Sequence, residues 1–154
     1  MAQQQPSNGD RHALSEAVDP NDLISRLDRW LGLHISHADG QRVDASIEID
    51  DRHWQGHGIV HGGVYCTVIE TVASIGASYQ AGLGHQVVGI SNRTTFIRAV
   101  SAGRLAITGA LVDAEGDRQL WKVDLADEQS RLVAAGQVQL MRLRRRAPAV
   151  SRGS

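Results

Sequence analysis

The stretch that decides the fold is HWQGHGIVHGGVYCTVIETVAS, residues 53–74. It contains a single side chain that is ionised at neutral pH, the carboxylate of Glu70, and the nearest charged residues on either side are Arg52 and Arg93. Apolar residues recur at helical spacing from Gly62 to about Ala81, and the Gly-Leu-Gly of residues 82–84 is a typical C-terminal stop. The stretch therefore predicts a loop followed by one long helix that carries a lone acid.

The predicted helix has two different faces when its residues are placed at about 100° intervals. One face is wide and apolar and should pack on a sheet; it consists of Val64, Val68, Val72, Ile75 and Tyr79, flanked by Tyr65, Ile69 and Gly76. The opposite stripe consists of Gly63, Thr67, Glu70, Ser74, Ala77 and Ala81, bordered by Thr71. Exposed helix faces usually carry long charged side chains, so we expect this small-residue stripe to meet a second subunit or a ligand.

Glu70 is the candidate functional acid on that stripe. Burying an unpaired carboxylate costs several kcal/mol or forces its protonation, so its presence in a narrow, partly dry cleft indicates function. The alternative is structural, with Glu70 hydrogen-bonded to Thr67, Ser74 or a partner chain to fix the register.

The start of the helix, His61-Gly62-Gly63, is a candidate oxyanion site. Free N–H groups and the positive end of the helix dipole point outward there, and the N–H of Gly62 or Gly63 could stabilise a developing negative charge. Glu70 lies about two turns further along, on nearly the same side as Gly63. An electrophile held at the helix N-terminus is therefore expected to lie within reach of this acid.

Two other chemistries are disfavoured by the same segment. His53, His57 and His61 have i, i+4, i+8 spacing, but the intervening glycines make the segment a loop, so the helical spacing of a metal site does not apply. Cys66 is expected to be a small core residue rather than a nucleophile. No Gly-x-Ser-x-Gly elbow and no phosphate-binding Gly-Lys loop occurs in the sequence.

The composition is that of an ordinary globular domain, with 154 residues, 42% hydrophobic and 21% charged residues, and a net charge of −1. This balance gives no support to nucleic acid or an anionic membrane as the partner. A single cysteine, no N-terminal apolar signal region and no uninterrupted apolar run of about 18 residues favour a cytoplasmic protein.

The chain is predicted to have three parts: a flexible segment at residues 1–19, one domain at 20–143, and a basic flexible tail at 144–154. The tail is expected to be solvated, or else to contact an anion or a partner. Within the domain we expect an amphipathic helix from Asp19, its N-cap, to Leu31, then a strand at residues 42–50, the long helix, and about four strands joined by hairpins. One long helix against a mostly antiparallel sheet is an α+β layout.

Two segments resemble the hotdog-fold acyl-CoA thioesterases of the phenylacetate-degradation-related group, most closely the 4-hydroxybenzoyl-CoA thioesterase branch that uses a glutamate. They are QGHGIVHGGVYCTVIETVAS, with Gln55, His61-Gly62-Gly63 and Glu70, and VVGISNRTTFIRAVSAGRL. The similarity runs from about residue 20 to residue 143. It implies a hotdog fold, in which an antiparallel sheet of five to six strands wraps a long central helix.

The resemblance also implies the reaction and its residues. Glu70 would be the nucleophile or general base, the Gly62 N–H would polarise the thioester carbonyl, and Gln55 and His61 would orient the thioester or a water. Further substrate contacts would come from Gly63, Thr71 and Ser74. Two protomers would share each site, so that Glu70 meets the Gln55–His61 loop of the other chain, and two such dimers would pair. No metal or separate cofactor is implied, since coenzyme A is part of the substrate.

The coenzyme A contacts implied by the resemblance are Gly89, Phe96, Arg98, Gly116 and Arg118, with the two arginines as phosphate partners. The sequence departs from the family pattern at two of these places. Phe96 stands where some aromatic-acyl members have His, and Arg98 is followed by Ala99 where Arg-Pro is frequent. These departures leave the acyl group open and do not affect the thioester chemistry.

Two other functions remain possible on the same fold. One is a hydratase or dehydratase of acyl thioesters, although similar members enter the helix with Pro-Gly rather than His61-Gly62-Gly63. The other is a non-catalytic acyl-CoA-binding protein, which the set of Gln55, His61 and Glu70 disfavours.

Overall fold

The structure is a computed structural model that describes residues 18–143. Of the N-terminal segment predicted to be flexible, only Val18 and Asp19 are described, and the predicted basic tail lies outside the described residues.

The described chain forms a six-stranded antiparallel sheet in the order β1–β2–β4–β5–β6–β3, with one long helix packed against it. The strands are β1 (His34–Ala38), β2 (Arg42–Ile49), β3 (Val87–Phe96), β4 (Gly103–Glu115), β5 (Arg118–Ala126) and β6 (Leu132–Arg142). The helices are α1 (Arg26–Leu31) and α2 (Gly62–Ala81), and short 3₁₀ turns occupy Pro20–Leu23 and Asp51–His53. The predicted α+β layout is confirmed.

Helix α2 has the predicted length and packs on the sheet with the predicted face. Val68, Val72 and Ile75 are buried, and Val64, at the first turn, is only half-buried. The opposite stripe is half-buried around Glu70, but its member Ala77 is fully buried. The stripe is therefore buried in the core near the C-terminal end of α2, which the placement of residues at 100° intervals did not predict.

One close contact seats the middle of α2 on the sheet. The ring of Trp121 on β5 fills the space where a side chain at Gly76 would stand. The Trp121 indole N–H donates to Gln119 Oε1 at 2.8 Å, and Gln119 Nε2 donates to the carbonyl of Ala77 at 3.1 Å. This buried network fixes the rotation of the helix and hence the direction of its polar stripe.

The predicted helix from Asp19 to Leu31 is wrong in its extent. Asp19 caps only the 3₁₀ turn, and a new helix, α1, begins after Ser25, whose side chain accepts from the Asp28 N–H while Asp28 accepts from the Ser25 N–H. This Ser-x-x-Asp capping box starts a helix where the apolar pattern alone shows no break. Of the apolar residues that suggested one helix, only Leu31 is buried, whereas Leu23, Leu27 and Trp30 are exposed.

The two edge strands of the sheet differ from the sequence expectations. Strand β1 was not predicted from the residues; only Ile35 and Leu33 near it are buried, and a bulge between Ile35 and His37 breaks the alternation. Strand β3 was predicted, but nearly all of it is exposed in the single chain, including Val88 and Ile90. An exposed apolar strand with a free edge favours pairing with another chain.

Among residues 18–143, no helix is both long enough and apolar enough to cross a membrane.

Candidate active site

The Glu70 carboxylate lies between helix α2 and the edge strand β3. The Asn92 side chain donates from Nδ2 to Glu70 Oε2 at 3.1 Å and to the carbonyl of Cys66 at 3.0 Å. On the other side, Glu70 Oε1 occupies the space that a β carbon at Gly89 would fill. Sequence reasoning named Glu70 and Gly89 but missed Asn92, because a strand asparagine carries no signal until the register of β3 against α2 is known.

The hydrogen bonds from Thr67 or Ser74 that the structural alternative named for Glu70 are not made among the described residues. The Thr67 hydroxyl donates to the carbonyl of Gly63 at 2.8 Å rather than to Glu70. Among the described side chains, Asn92 is the one that donates to the Glu70 carboxylate. Ser74 lies one turn beyond Glu70 on the same half-buried stripe and makes no side-chain hydrogen bond to it.

His61 is the N-cap of α2, a role that sequence reasoning did not predict. Its Nδ1 accepts the N–H of Gly63 at 2.8 Å, so the Gly63 N–H is not available to a ligand. An Nδ1 that accepts a hydrogen bond carries no proton, which makes the ring neutral with its proton on Nε2. Of the two candidate oxyanion donors, Gly62 is the one whose N–H makes no hydrogen bond to the described residues.

The loop that carries Gln55 is held in a tight turn. Its side-chain Oε1 accepts the N–H of His57 at 2.8 Å, and the Gln55 N–H donates to the carbonyl of Ile59 at 2.8 Å. Gly58 has a φ of 72°, in the left-handed region that favours glycine. Because Oε1 is engaged within the loop, the Nε2 donors of Gln55 are the groups left to orient a substrate.

The single chain does not bring Glu70 to the start of its own helix. Gly62 and Glu70 are eight residues apart, which is about 12 Å of helical rise, and Asn92 holds the carboxylate against β3. A carbonyl bound at the Gly62 N–H is therefore out of reach of Glu70 in the same chain. The expectation that both groups act on one electrophile fails within one protomer.

Thr71, which was predicted to contact substrate, is engaged within the chain. Its hydroxyl donates to Asp28 Oδ1 at 2.7 Å, and Asp28 is 2% exposed. Asp28 also closes the capping box of α1. This hydrogen bond therefore holds α1 on α2 beside the candidate site.

A groove of about 400 Å³ lies between α1 and the first turns of α2, and sequence reasoning missed it. Its apolar walls are Leu27, Trp30, Leu31, Trp54 and Val64, and its polar lining is Arg52, His53, His61, Gly63 and Thr67. Trp54 is held by a hydrogen bond from its indole N–H to the carbonyl of Ser101 at 2.8 Å. The groove therefore combines two indole rings with the helix start at His61.

The histidines of the loop serve different purposes. His53 is buried and its Nε2 lies 2.8 Å from the carbonyl of Leu31, which ties α1 to the turn before the groove. His57 is exposed. Residues 18–143 contain no group of three or more His, Cys, Asp or Glu side chains that could hold a metal ion.

Aromatic rings cover the other side of the helix start. The Phe96 ring stands over Gly62, where an added β carbon would lie 2.8 Å from it, and the ring is 6.2 Å from that of Tyr65. The hydroxyl of Tyr65 is buried with no hydrogen-bond partner among the described residues, and this burial raises the pKa of Tyr65 to about 12. Glycine at position 62 thus leaves room for Phe96 beside the candidate oxyanion donor.

The two predicted phosphate partners do not meet in one chain. Arg118 begins β5 at the end of the sheet where β3 starts, because both strands are paired with Met141 of β6. Arg98 follows the other end of β3, next to Phe96. The ten residues of β3 span roughly 30 Å, so Arg98 and Arg118 lie at opposite ends of the sheet. Gly116, with a φ of 59°, forms the turn before Arg118.

Comparison with known proteins identifies the family. Residues 57–134 match the sequence profile of the thioesterase superfamily, which is about half of the chain. The protein belongs to this superfamily, has its hotdog fold, and is a thioester hydrolase.

Solved structures and curated relatives agree with this assignment. The Mycobacterium tuberculosis protein Rv1847 is 35% identical with a TM-score of 0.76, over 80% of this chain and 100% of that one. AziG from S. sahachiroi is 40% identical with a TM-score of 0.75, over 79% and 98% of the two chains. The 1,4-dihydroxy-2-naphthoyl-CoA hydrolase of Escherichia coli is 26% identical over 110 residues, which are 71% of this chain and 80% of the relative.

Proposed function

We propose that the protein is a cytoplasmic acyl-CoA thioesterase that hydrolyses its substrate to a free acid and coenzyme A. The observation that carries this proposal is the Glu70 carboxylate, held at the edge of the sheet by Asn92 and the backbone of Gly89. The name of the Escherichia coli relative, a hydrolase of an acyl-CoA, supports coenzyme A as the thiol.

The active site of this enzyme is formed by two chains paired through β3. A twofold axis perpendicular to the sheet would place two β3 edges antiparallel and leave both α2 helices on the same face. The Phe96 end of one β3, which covers Gly62, would then lie beside the Gly89 end of the other, where Glu70 is held. Such pairing supplies the juxtaposition of Gly62 and Glu70 that one chain lacks. A further pairing of these dimers gives a tetramer.

The reaction begins with the thioester carbonyl at the Gly62 N–H, where the helix dipole and the neighbouring His61 Nε2–H favour negative charge on oxygen. The partner's Glu70 either attacks the carbonyl carbon or takes a proton from a water that attacks it. The tetrahedral intermediate collapses with cleavage of the carbon–sulfur bond, and coenzyme A leaves as a thiolate that is then protonated. In the nucleophilic route a water hydrolyses the anhydride formed with Glu70.

The two ends of the substrate have separate places in this arrangement. The acyl group lies in the groove beside His61, whose volume of about 400 Å³ and two tryptophans suit an apolar group. The phosphates of coenzyme A lie between Arg98 of one chain and Arg118 of the other, since antiparallel β3 pairing would bring opposite ends of the two sheets together.

Thiol release from a panel of aliphatic and aromatic acyl-CoA thioesters tests the proposal. We expect the wild type to hydrolyse at least one of them and Glu70→Gln to lose turnover while keeping its melting temperature, since the shape is kept and the charge is lost. Glu48→Gln, on an exposed position of β2, is the matched control and should behave as wild type. Wild-type kcat in Glu70→Gln contradicts the catalytic role, and enoyl-CoA hydration without thiol release would indicate a hydratase.

A further inference from the structure

We propose that Asn92 is a positioning residue that holds the Glu70 carboxylate in its reactive orientation, and that Thr94 sets the orientation of Asn92. This inference rests on the proposed role of Glu70 and assigns a function to two residues of β3 beyond it.

The hydrogen bonds of the Asn92 amide define which of its ends faces Glu70. Its nitrogen lies within 3.1 Å of two acceptors, Glu70 Oε2 and the carbonyl of Cys66, so it must be the donor end. Its oxygen accepts the hydroxyl of Thr94 at 2.8 Å. Both ends of the amide are therefore engaged, and a flipped amide would lose its hydrogen bonds to Glu70 and Cys66, because its oxygen would then face two acceptors.

This amide ties the carboxylate to the helix as well as to the strand. Cys66 and Glu70 are one helical turn apart, so a donor shared by the Cys66 carbonyl and Glu70 Oε2 restricts the otherwise free torsions of the glutamate side chain. The carboxylate is confined from the other side by the backbone at Gly89. Reaction rates depend steeply on such placement, and a displacement of about 1 Å can cost about 100-fold.

The two carboxylate oxygens have different surroundings on β3. Oε2 receives the amide N–H, whereas Oε1 has no hydrogen bond from the described residues. Oε1 instead lies against the backbone of Gly89, so β3 restrains both ends of the carboxylate.

Steady-state kinetics of Asn92→Leu and Thr94→Val on the best acyl-CoA substrate test this inference. Asn92→Leu keeps the size of the side chain and removes its donors, and we expect kcat to fall about 10- to 100-fold with KM within about twofold of wild type. Thr94→Val removes only the hydroxyl that orients the amide, so we expect a smaller fall in kcat alone. Melting temperature and oligomeric state should stay those of wild type in Thr94→Val.

The outcomes separate this inference from the proposed function. If Glu70→Gln is inactive while both β3 variants keep wild-type kcat, the positioning role is wrong and the role of Glu70 stands. If Asn92→Leu loses activity together with its melting temperature or its dimer, and Thr94→Val is unaffected, the role of Asn92 is structural and the inference is also wrong. If Glu70→Gln keeps wild-type kcat, the proposed function itself fails.

Discussion

At the scale of single residues, the candidate site depends on two glycines whose lack of a side chain makes room for other groups. Gly89 leaves the space into which the Glu70 carboxylate reaches, and Gly62 leaves the space that Phe96 fills. The sequence does not show that glycine is required at either position, because each requirement comes from a residue on a distant element. The resemblance pointed to Gly89 as a coenzyme A contact, which stays a prediction, whereas its contact with Glu70 came only from the structure.

Gly89→Ala should inactivate the enzyme without unfolding it. The atom that blocks the new methyl group is the end of a flexible side chain, so Glu70 can move away at little cost to folding, but the carboxylate then leaves its place. We expect kcat to fall at least about tenfold and the melting temperature to change little. Gly84→Ala, with no atom within 4 Å of its added β carbon, is the control and should keep wild-type kcat. Equal activity in both variants would contradict the placement of Glu70.

His61→Asn should separate the two roles of His61. Asparagine is a strong N-cap and can accept the Gly63 N–H in place of Nδ1, so the melting temperature should stay near that of wild type. It lacks the Nε2–H that we propose to face the thioester, so we expect kcat to fall. His61→Ala should lose both, with a cost of about 1 kcal/mol in unfolding free energy. Thermal melting and thiol release on the three proteins check this, and a fully active His61→Asn would leave His61 with a capping role only.

At the scale of elements, the sequence predicted what local signals encode. The glycines at both ends of α2 and its apolar period predicted the helix at its observed bounds, and strict alternation predicted β2. The extent of α1 was wrong because Ser25 and Asp28 start a helix inside a continuous apolar pattern. Strand β1 was not predicted because its strand conformation depends on pairing with β2, and a bulge disrupts the alternation of its own residues. The link between α2 and β3 through Asn92 is tertiary and could not be read from either segment.

Gly76→Ala should destabilise the protein although alanine is the better helix former. The helical preference of alanine is worth about 1 kcal/mol, but its methyl group would overlap the Trp121 ring, which is buried and held by Gln119. Overpacking of this kind costs about 1–3 kcal/mol, so we expect a lower melting temperature. Ser78→Ala, on the same helix with its hydroxyl bonded only to the carbonyl of Ser74, should change it less. A Gly76→Ala protein more stable than wild type would contradict the close seating of α2 on β5.

At the scale of the whole molecule, each chain carries two groups of candidate site residues, which lie toward opposite ends of β3. The helix start and Phe96 lie at one end, and Glu70 with Gly89 and Asn92 lies toward the other. Most of these residues could be named from the sequence. The distance between the helix start and Glu70 within one chain could not, because it follows from the length of α2 and the register of β3 on β6.

A mixture of Glu70→Gln and His61→Ala chains should regain activity that neither variant has alone. In a mixed dimer, one site combines the intact His61 of one chain with the intact Glu70 of the other. Random association of equal amounts makes roughly half of the dimers mixed, with one working site in two, so roughly a quarter of wild-type activity is expected. Thiol release after joint unfolding and refolding measures this, with each variant refolded alone as the control. No recovery in the mixture would mean that each site belongs to a single chain.

The free edge of β3 would make the activity of the enzyme depend on dimerisation. If the site is shared between two chains as proposed, a chain without a partner holds Glu70 and the Gly62 N–H too far apart to act on one thioester. Activity per chain should then decline on dilution, following the dissociation of the pair rather than any unfolding. The fraction of chains that form an active dimer, and hence the activity per chain, would then depend on the protein concentration.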